Sequence, residues 1–338
     1  LGEERVLLAN HIDNISYSIG EMLLDFKRDV TLCEDIERII RRAFNKNYIQ
    51  TKNILCYRDE NARECIKVTM QSCGGSKYCA KNILPVLNEV MNKKMIIGGD
   101  GCRIDPKTGD CSVVFEESPK YKVLSYGAIA VKDGESCSGD TFSFGKSKDG
   151  KYVTLISDGM GSGPEASKES KATVDLIESF MEAGFKNDTA INMINSIMSM
   201  KFEEDERFST LDLNSIDLYS GQASFIKIGA VASFIKRGKK VEPIISNMPP
   251  FGVVDKVELD EVEETVKNGD IIVTLSDGVL DVNKESLGKY NWLQEYLIDS
   301  TKNPKELAAE IIEKAKDLGG GKVKDDMTVV VSKVYSMG

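Results

Sequence analysis

Two apolar runs in this sequence end in the same tripeptide. Val153-Thr154-Leu155-Ile156-Ser157-Asp158-Gly159 and Val273-Thr274-Leu275-Ser276-Asp277-Gly278 both close on Ser-Asp-Gly. Each run reads as a buried strand that delivers an aspartate at its end. The glycine lets the backbone turn sharply or approach a ligand closely. Two more acidic sites have a similar setting: Asp140 in Ser138-Gly139-Asp140-Thr141, and the pair Asp325-Asp326 before the apolar stretch from Met327. Carboxylates gathered at one sheet edge repel one another and raise each other's pKa. A divalent cation removes that cost, and an all-oxygen ligand set favours Mg²⁺ or Mn²⁺. Two such ions about 3.5–4 Å apart bind a phosphoryl group and bring the pKa of a bridging water near neutrality. One Ser-Asp-Gly alone would be a plain turn. Two after matched runs, with two further acidic sites before strands, argue for a metal centre.

The histidine count narrows the chemistry. The 338 residues contain one histidine, His11, far in sequence from every acidic motif. A Ser-His-Asp or Cys-His device has no other imidazole to draw on, and imidazole-rich zinc sites are excluded with it. Catalysis therefore falls to carboxylates, lysines, cysteines or a metal. Eight cysteines are too sparse for a disulfide scaffold; Cys73 and Cys79 bracket Gly-Gly-Ser-Lys-Tyr at a spacing of no common zinc pattern, and reduced thiols are expected. The formal net charge of −10 argues against nucleic acid and anionic membrane as partners. Two glycine-rich stretches compete for attention. Gly159-Met160-Gly161-Ser162-Gly163 lies between a strand and a helix but lacks dinucleotide-loop spacing. Gly145 to Lys151 resembles a phosphate loop, yet Tyr152 stands where Ser or Thr is required, so it reads as a hairpin turn.

The length suits two domains. Leu8, Ile12, Ile15, Ile19, Met22 and Phe26 form a heptad seam on a helix over about residues 3–28, either for packing within the domain or for dimerisation and switching. Thr31 and Glu34 have capping-box spacing for a second helix that carries Leu32, Ile36, Ile39, Ile40 and Phe44 inward. Strands flank a turn at Asp59-Glu60-Asn61, a helix follows at 79–92, and Pro106 to Gly109 marks another hairpin. The polar segment Glu116 to Pro119 is the expected boundary, giving domains at 1–118 and 119–338. Beyond it, strands are expected at 121–131, 152–157, 208–219, 223–236, 240–246, 271–276 and 327–334, with helices at 164–183, after Asp188 and at 304–318. The fold class is α+β, sheet on sheet with helices outside. The chain has no segment of the roughly 18 apolar residues that span a bilayer, and its start inside a helical pattern reads as that of a fragment.

These motifs resemble those of the metal-dependent, type 2C-like (PPM) protein phosphatases, in particular their bacterial sporulation branch. The likeness lies in Ser138 to Phe144, Ser157 to Ala166, Ser209 to Leu213, Ser233 to Gly238, Ser276 to Val279 and Asp325 to Val331. It covers nearly all of residues 120–335; the first 118 residues look more loosely like the regulatory segment of that branch. The resemblance implies an αββα sandwich with two Mn²⁺ or Mg²⁺ ions held by Asp158, the Gly159 carbonyl, Asp277 and either Asp325 or Asp326. It gives Asp140 and Asp158 catalytic roles, Asp140 by orienting a metal-held water. Met160 stands where eukaryotic members have a histidine proton donor, and their phosphate-binding arginine has no counterpart. The implied substrate is a phosphoserine on an anti-anti-sigma protein of the SpoIIAA type, with activation of a forespore sigma factor as the outcome. The implied setting is a homodimer, anchored to the membrane through a missing N-terminal region and in touch with cell-division proteins. The rival reading is a scaffold that keeps the phosphatase fold without activity.

Overall fold

The computed structural model describes residues 31–59, 61–147, 149–205, 209–254, 256–283 and 291–337. His11 and the heptad seam lie outside these residues. The described residues divide into two compact units, one ending at Pro119 and one beginning at Lys120.

The smaller unit contains β1 (Thr31–Leu32), α1 (Glu34–Lys46), β2 (Asn53–Arg58), β3 (Glu64–Gln71), a π-helical turn at Cys79–Ile83 running into α2 (Leu84–Met91), β4 (Met95–Ile104) and β5 (Asp110–Glu117). Its antiparallel sheet has the order β1-β2-β3-β5-β4. Ile40 and Phe44 of α1 and Leu87 of α2 pack with Ile66, Val68 and Phe115 of the sheet in one buried cluster. The expected capping box does not form. Thr31 pairs with Arg58 as a strand residue, and Cys33 takes the cap position without a side-chain bond. Strand pairing claims the dipeptide before the helix, so Leu32 is exposed, and Ile39 also points outward at 52% exposure. Glu34, Asp35 and Glu37 fill the first turn instead and favour the helix electrostatically. All eight cysteines of the chain are free.

The larger unit runs β6 (Tyr121–Ala130), β7 (Asp140–Lys146), β8 (Lys151–Asp158), α3 (Gly163–Glu182), α4 (Asn187–Asp205), β9 (Leu211–Asp217), β10 (Gln222–Ile228), β11 (Ser233–Arg237), β12 (Lys240–Ile244), β13 (Glu261–Thr265), β14 (Ile271–Leu275), α5 (Asp277–Leu280), α6 (Asn291–Asp299), α7 (Pro304–Leu318) and β15 (Met327–Ser336). Two antiparallel sheets result, β13-β10-β9-β8-β7 and β12-β11-β14-β15-β6. Alternation along the strands sorts the side chains into three clusters. Ile216 and Phe225 meet Ile235, Ile272 and Val334 between the sheets. Leu155 and Leu213 pack under Val174, Ile177, Ile191 and Ile194 of α3 and α4. Val273, Val329 and Val331 pack under Leu293, Leu307 and Ile311 of α6 and α7. The layers are therefore helix, sheet, sheet, helix.

One strand of the sequence reading is two strands. The stretch read as continuous over 223–236 breaks after Ile228 and resumes at Ser233 in the opposite sheet. Gly229 makes the break with φ +63°, and a Cβ there would stand 2.6 Å from the Pro250 ring. The helix α6 and the strand β13 were also absent from that reading.

Candidate active site

Both Ser-Asp-Gly tripeptides sit at strand ends, and each is fixed by hydrogen bonds to a threonine of an adjacent segment. At the end of β8, the Ser157 hydroxyl donates to the Thr210 carbonyl at 2.7 Å, and the Asp158 amide donates to Thr210 Oγ1 at 3.1 Å. The Thr210 amide returns a bond to the Asp158 carbonyl at 3.0 Å. At the end of β14, the Ser276 amide donates to the Thr328 carbonyl at 2.9 Å, and the Thr328 amide donates to Ser276 Oγ at 2.9 Å. The glycines allow close backbone approach. A Cβ on Gly159 would lie 2.2 Å from the Ala166 carbonyl oxygen in α3, and one on Gly278 would lie 2.1 Å from the Asp326 carbonyl oxygen. No side chain fits at either position.

This arrangement gathers the carboxylates. Asp140 and Asp158 are direct cross-strand partners on β7 and β8, a juxtaposition that is unfavourable for two like charges. Burial pushes the Asp158 carboxyl up to about 10, and the charges of Asp140, Asp277 and Asp325 add to the rise. Burial likewise lifts Asp140 to about 6, a rise that the nearby Ser276 and Thr328 hydroxyls soften. Those hydroxyls lie close without completing a hydrogen bond, since neither Asp140 oxygen has a partner among the described residues. Asp277 is raised by burial first and then by Asp325 and Asp281. Asp281 was not singled out from sequence, because the apolar run that marked Asp277 ends before it.

The adjacent aspartates Asp325 and Asp326 separate cleanly. Asp326 is buried, and both its oxygens are engaged: Oδ1 accepts from the Lys132 amide at 2.9 Å and Oδ2 from the Gly139 amide at 2.8 Å. Asp325 is exposed and acts electrostatically on both Asp158 and Asp277. Met160 is 54% exposed beside Asp158 and Gly159. A cavity of about 30 Å³ lies among Asp158, Asp277, Thr210, Ser276 and Asp212. Asp212 was not predicted as a site residue; its signal was a charged side chain in an otherwise inward-facing strand.

The donor set fits a hard divalent cation: oxygen ligands only, mutual repulsion, and a buried Asp140 carboxyl with no donor. Among the described residues, no three His, Cys, Asp or Glu side chains already surround a common ion position.

Sequence comparison decides the family. The family model described as Stage II sporulation protein E (SpoIIE) matches residues 148–335. The chain belongs to the SpoIIE family. It is 34% identical to Stage II sporulation protein E of Priestia megaterium over 98% of this chain and 57% of that protein. It is 31% identical to the protein of the same name from Bacillus subtilis (strain 168) over 98% of this chain and 40% of that one. The chain thus spans about half the length of these SpoIIE relatives. A solved structure of the PP2C phosphatase domain and a fragment of the regulatory domain of SpoIIE from Bacillus subtilis superposes with a TM-score of 0.75 at 29% identity, covering 99% of this chain and 97% of that one. The αββα unit beyond Pro119 is a PP2C-type serine/threonine phosphatase domain, and the SpoIIE likeness extends through the smaller unit before it.

Proposed function

We propose that this chain is a metal-dependent protein-serine phosphatase whose ions are held by Asp158, the Gly159 carbonyl, Asp277 and Asp325. The observation that carries the reading is the convergence of Asp140, Asp158, Asp277 and Asp325, with both oxygens of the buried Asp140 carboxyl unpartnered. When bound, Mn²⁺ or Mg²⁺ would neutralise the phosphoryl oxygens and make water a nucleophile near neutral pH. Asp158, central in the cluster, would hold its carboxyl ionised in that state. Asp140 would accept a hydrogen bond from the attacking water and aim it. Asp326 would hold the Lys132 and Gly139 amides, leaving Asp325 as the ligand of the pair. Asp281 would stand at the outer edge of the set beside Asp277. Met160 cannot donate a proton, so the leaving serine oxygen would take its proton from solvent.

The substrate we infer is a phosphoserine on an anti-anti-sigma protein of the SpoIIAA type, whose dephosphorylation would lead to activation of a forespore sigma factor. Family membership supports this reading. In the whole protein, further segments would supply a membrane anchor, a dimer contact and links to cell-division proteins. Among the described residues, no helix is long and apolar enough to cross a membrane. The deciding experiment is Mn²⁺-dependent phosphate release from the phosphoserine protein by this chain and by Asp277→Asn. We expect metal-dependent release that the variant loses by at least about 100-fold, as expected for removal of a group that stabilises transition-state charge. No release at any Mn²⁺ or Mg²⁺ concentration would favour the scaffold reading.

A further inference from the structure

A buried ion pair within one sheet lies beside the carboxylate cluster, and Ser233 ties it to the opposite sheet. Asp212 on β9 and Lys227 on β10 are cross-strand partners, and each side chain is 1% exposed. The Lys227 ammonium donates to Asp212 Oδ2, to the Val231 carbonyl at 2.7 Å and to Ser233 Oγ at 2.8 Å. The Ser233 hydroxyl in turn donates to Asp212 Oδ2 at 2.7 Å. Ser233 opens β11 in the opposite sheet, so the pair fastens the crossing from β10 to β11 on both sides. All three ammonium protons are used.

One atom of this network is left over. Asp212 Oδ1 is buried and has no hydrogen-bond partner among the described residues. Asp212 lines the cavity of about 30 Å³ that also has Asp158, Asp277 and Thr210 in its wall. That volume accommodates a water, which needs roughly 10–15 Å³ and at least two polar partners. A buried carboxylate oxygen without a donor is costly unless something occupies the space before it.

We propose that Asp212 is a positioning residue of the phosphatase centre: its Oδ1 anchors a water in this cavity that bonds onward to the Asp158 and Asp277 carboxylates and fixes how they face a divalent cation. The inference rests on the metal-dependent reading above. Lys227 and Ser233 hold Oδ2, so Oδ1 is the oxygen left without a donor. Partners that orient ligating carboxylates typically control metal affinity 10–100-fold.

Mn²⁺ binding to the full chain, read from the electron paramagnetic resonance signal of the free ion, tests the proposal alongside urea unfolding. In Asp212→Asn, Lys227 would keep the amide oxygen, and the amide nitrogen would replace Oδ1, turning an acceptor into a donor. We expect Mn²⁺ binding at least ~10-fold weaker than wild type. Asp212→Leu/Lys227→Met removes the pair as a unit, a change that leaves folding near neutral where packing is good. It should regain stability over the single variant while its Mn²⁺ binding stays weak. Ser233→Ala leaves Oδ1 in place and should bind Mn²⁺ within about threefold of wild type, since the charged Lys227 bond remains. Wild-type affinity in either folded Asp212 variant would overturn the proposal and leave the pair as a structural clasp. Absence of Mn²⁺ binding by the wild type would instead overturn the metal-dependent reading itself, and this inference with it.

Discussion

Asp140 and Asp158 face each other across β7 and β8, the Asp140 carboxyl raised to about 6 by burial and the Asp158 carboxyl to about 10 by burial and by the charge of Asp140. Both folded pKa values lie above the unfolded value of about 4. The folded state therefore binds more protons than the unfolded chain between these limits, and stability falls as pH rises through them. Without divalent metal, the urea midpoint should drop steadily from about pH 5 to pH 8. Asp140→Asn should flatten the first part of that decline. It should also stabilise the metal-free protein at pH 8 by on the order of 2–3 kcal/mol, since one pKa unit is about 1.4 kcal/mol. Saturating Mn²⁺ should cancel most of the slope in the wild type, because the cation takes over the role of the protons. A metal-free profile that is flat or rises with pH would show that these carboxyls are not raised.

Two elements rather than two residues explain why the aspartates arrive where they do. Each apolar run of the sequence emerges as a strand, β8 and β14, and each ends against a backbone that a glycine admits. Gly159→Ala and Gly278→Ala would put a methyl 2.2 Å and 2.1 Å from carbonyl oxygens of Ala166 and Asp326. Each should destabilise the fold by at least about 2 kcal/mol, as overpacking against backbone does. Gly145→Ala, where a Cβ meets nothing within 4 Å, is the control and should stay within about 1 kcal/mol. Equal behaviour of the three in urea unfolding would refute the clamping role. The same elements show what the sequence could convey. The strand ends were legible because a buried run and a polar stop leave a one-dimensional trace. The division of 223–236 was not, because Phe225, Ile226, Phe234 and Ile235 are buried on both sides of it and no charged residue or proline marks the crossing at 229–232. The capping box misled because Thr31 had a second option, strand pairing with Arg58, that local spacing does not reveal. Asp212 and Lys227 carried a signal, charge inside a strand, but their partner Ser233 becomes visible only once the sheets are stacked.

For the whole molecule, each unit has its own buried core, that of the unit ending at Pro119 centred on Ile66, Phe115 and Leu87 and that beyond Lys120 divided among three clusters. A fragment of residues 120–338 should accordingly fold alone and unfold in a single cooperative transition in urea, with its carboxylate set intact. The full chain should show two transitions. A fragment that is molten or aggregated by near-ultraviolet circular dichroism would mean that the phosphatase domain depends on its neighbour for folding.

The Asp325-Asp326 dipeptide has a consequence of its own. One carboxylate turns outward to the cluster, and the next secures the Lys132 and Gly139 amides, at the two ends of the segment that leads into Asp140. Moving that segment therefore drags on the peptide bond that carries Asp325. In a genetic screen for loss of activity, alleles in residues 132–139 would masquerade as active-site lesions although none of those side chains need touch a substrate. Second-site suppressors would then map to the start of β15, on the far side of the molecule's sequence.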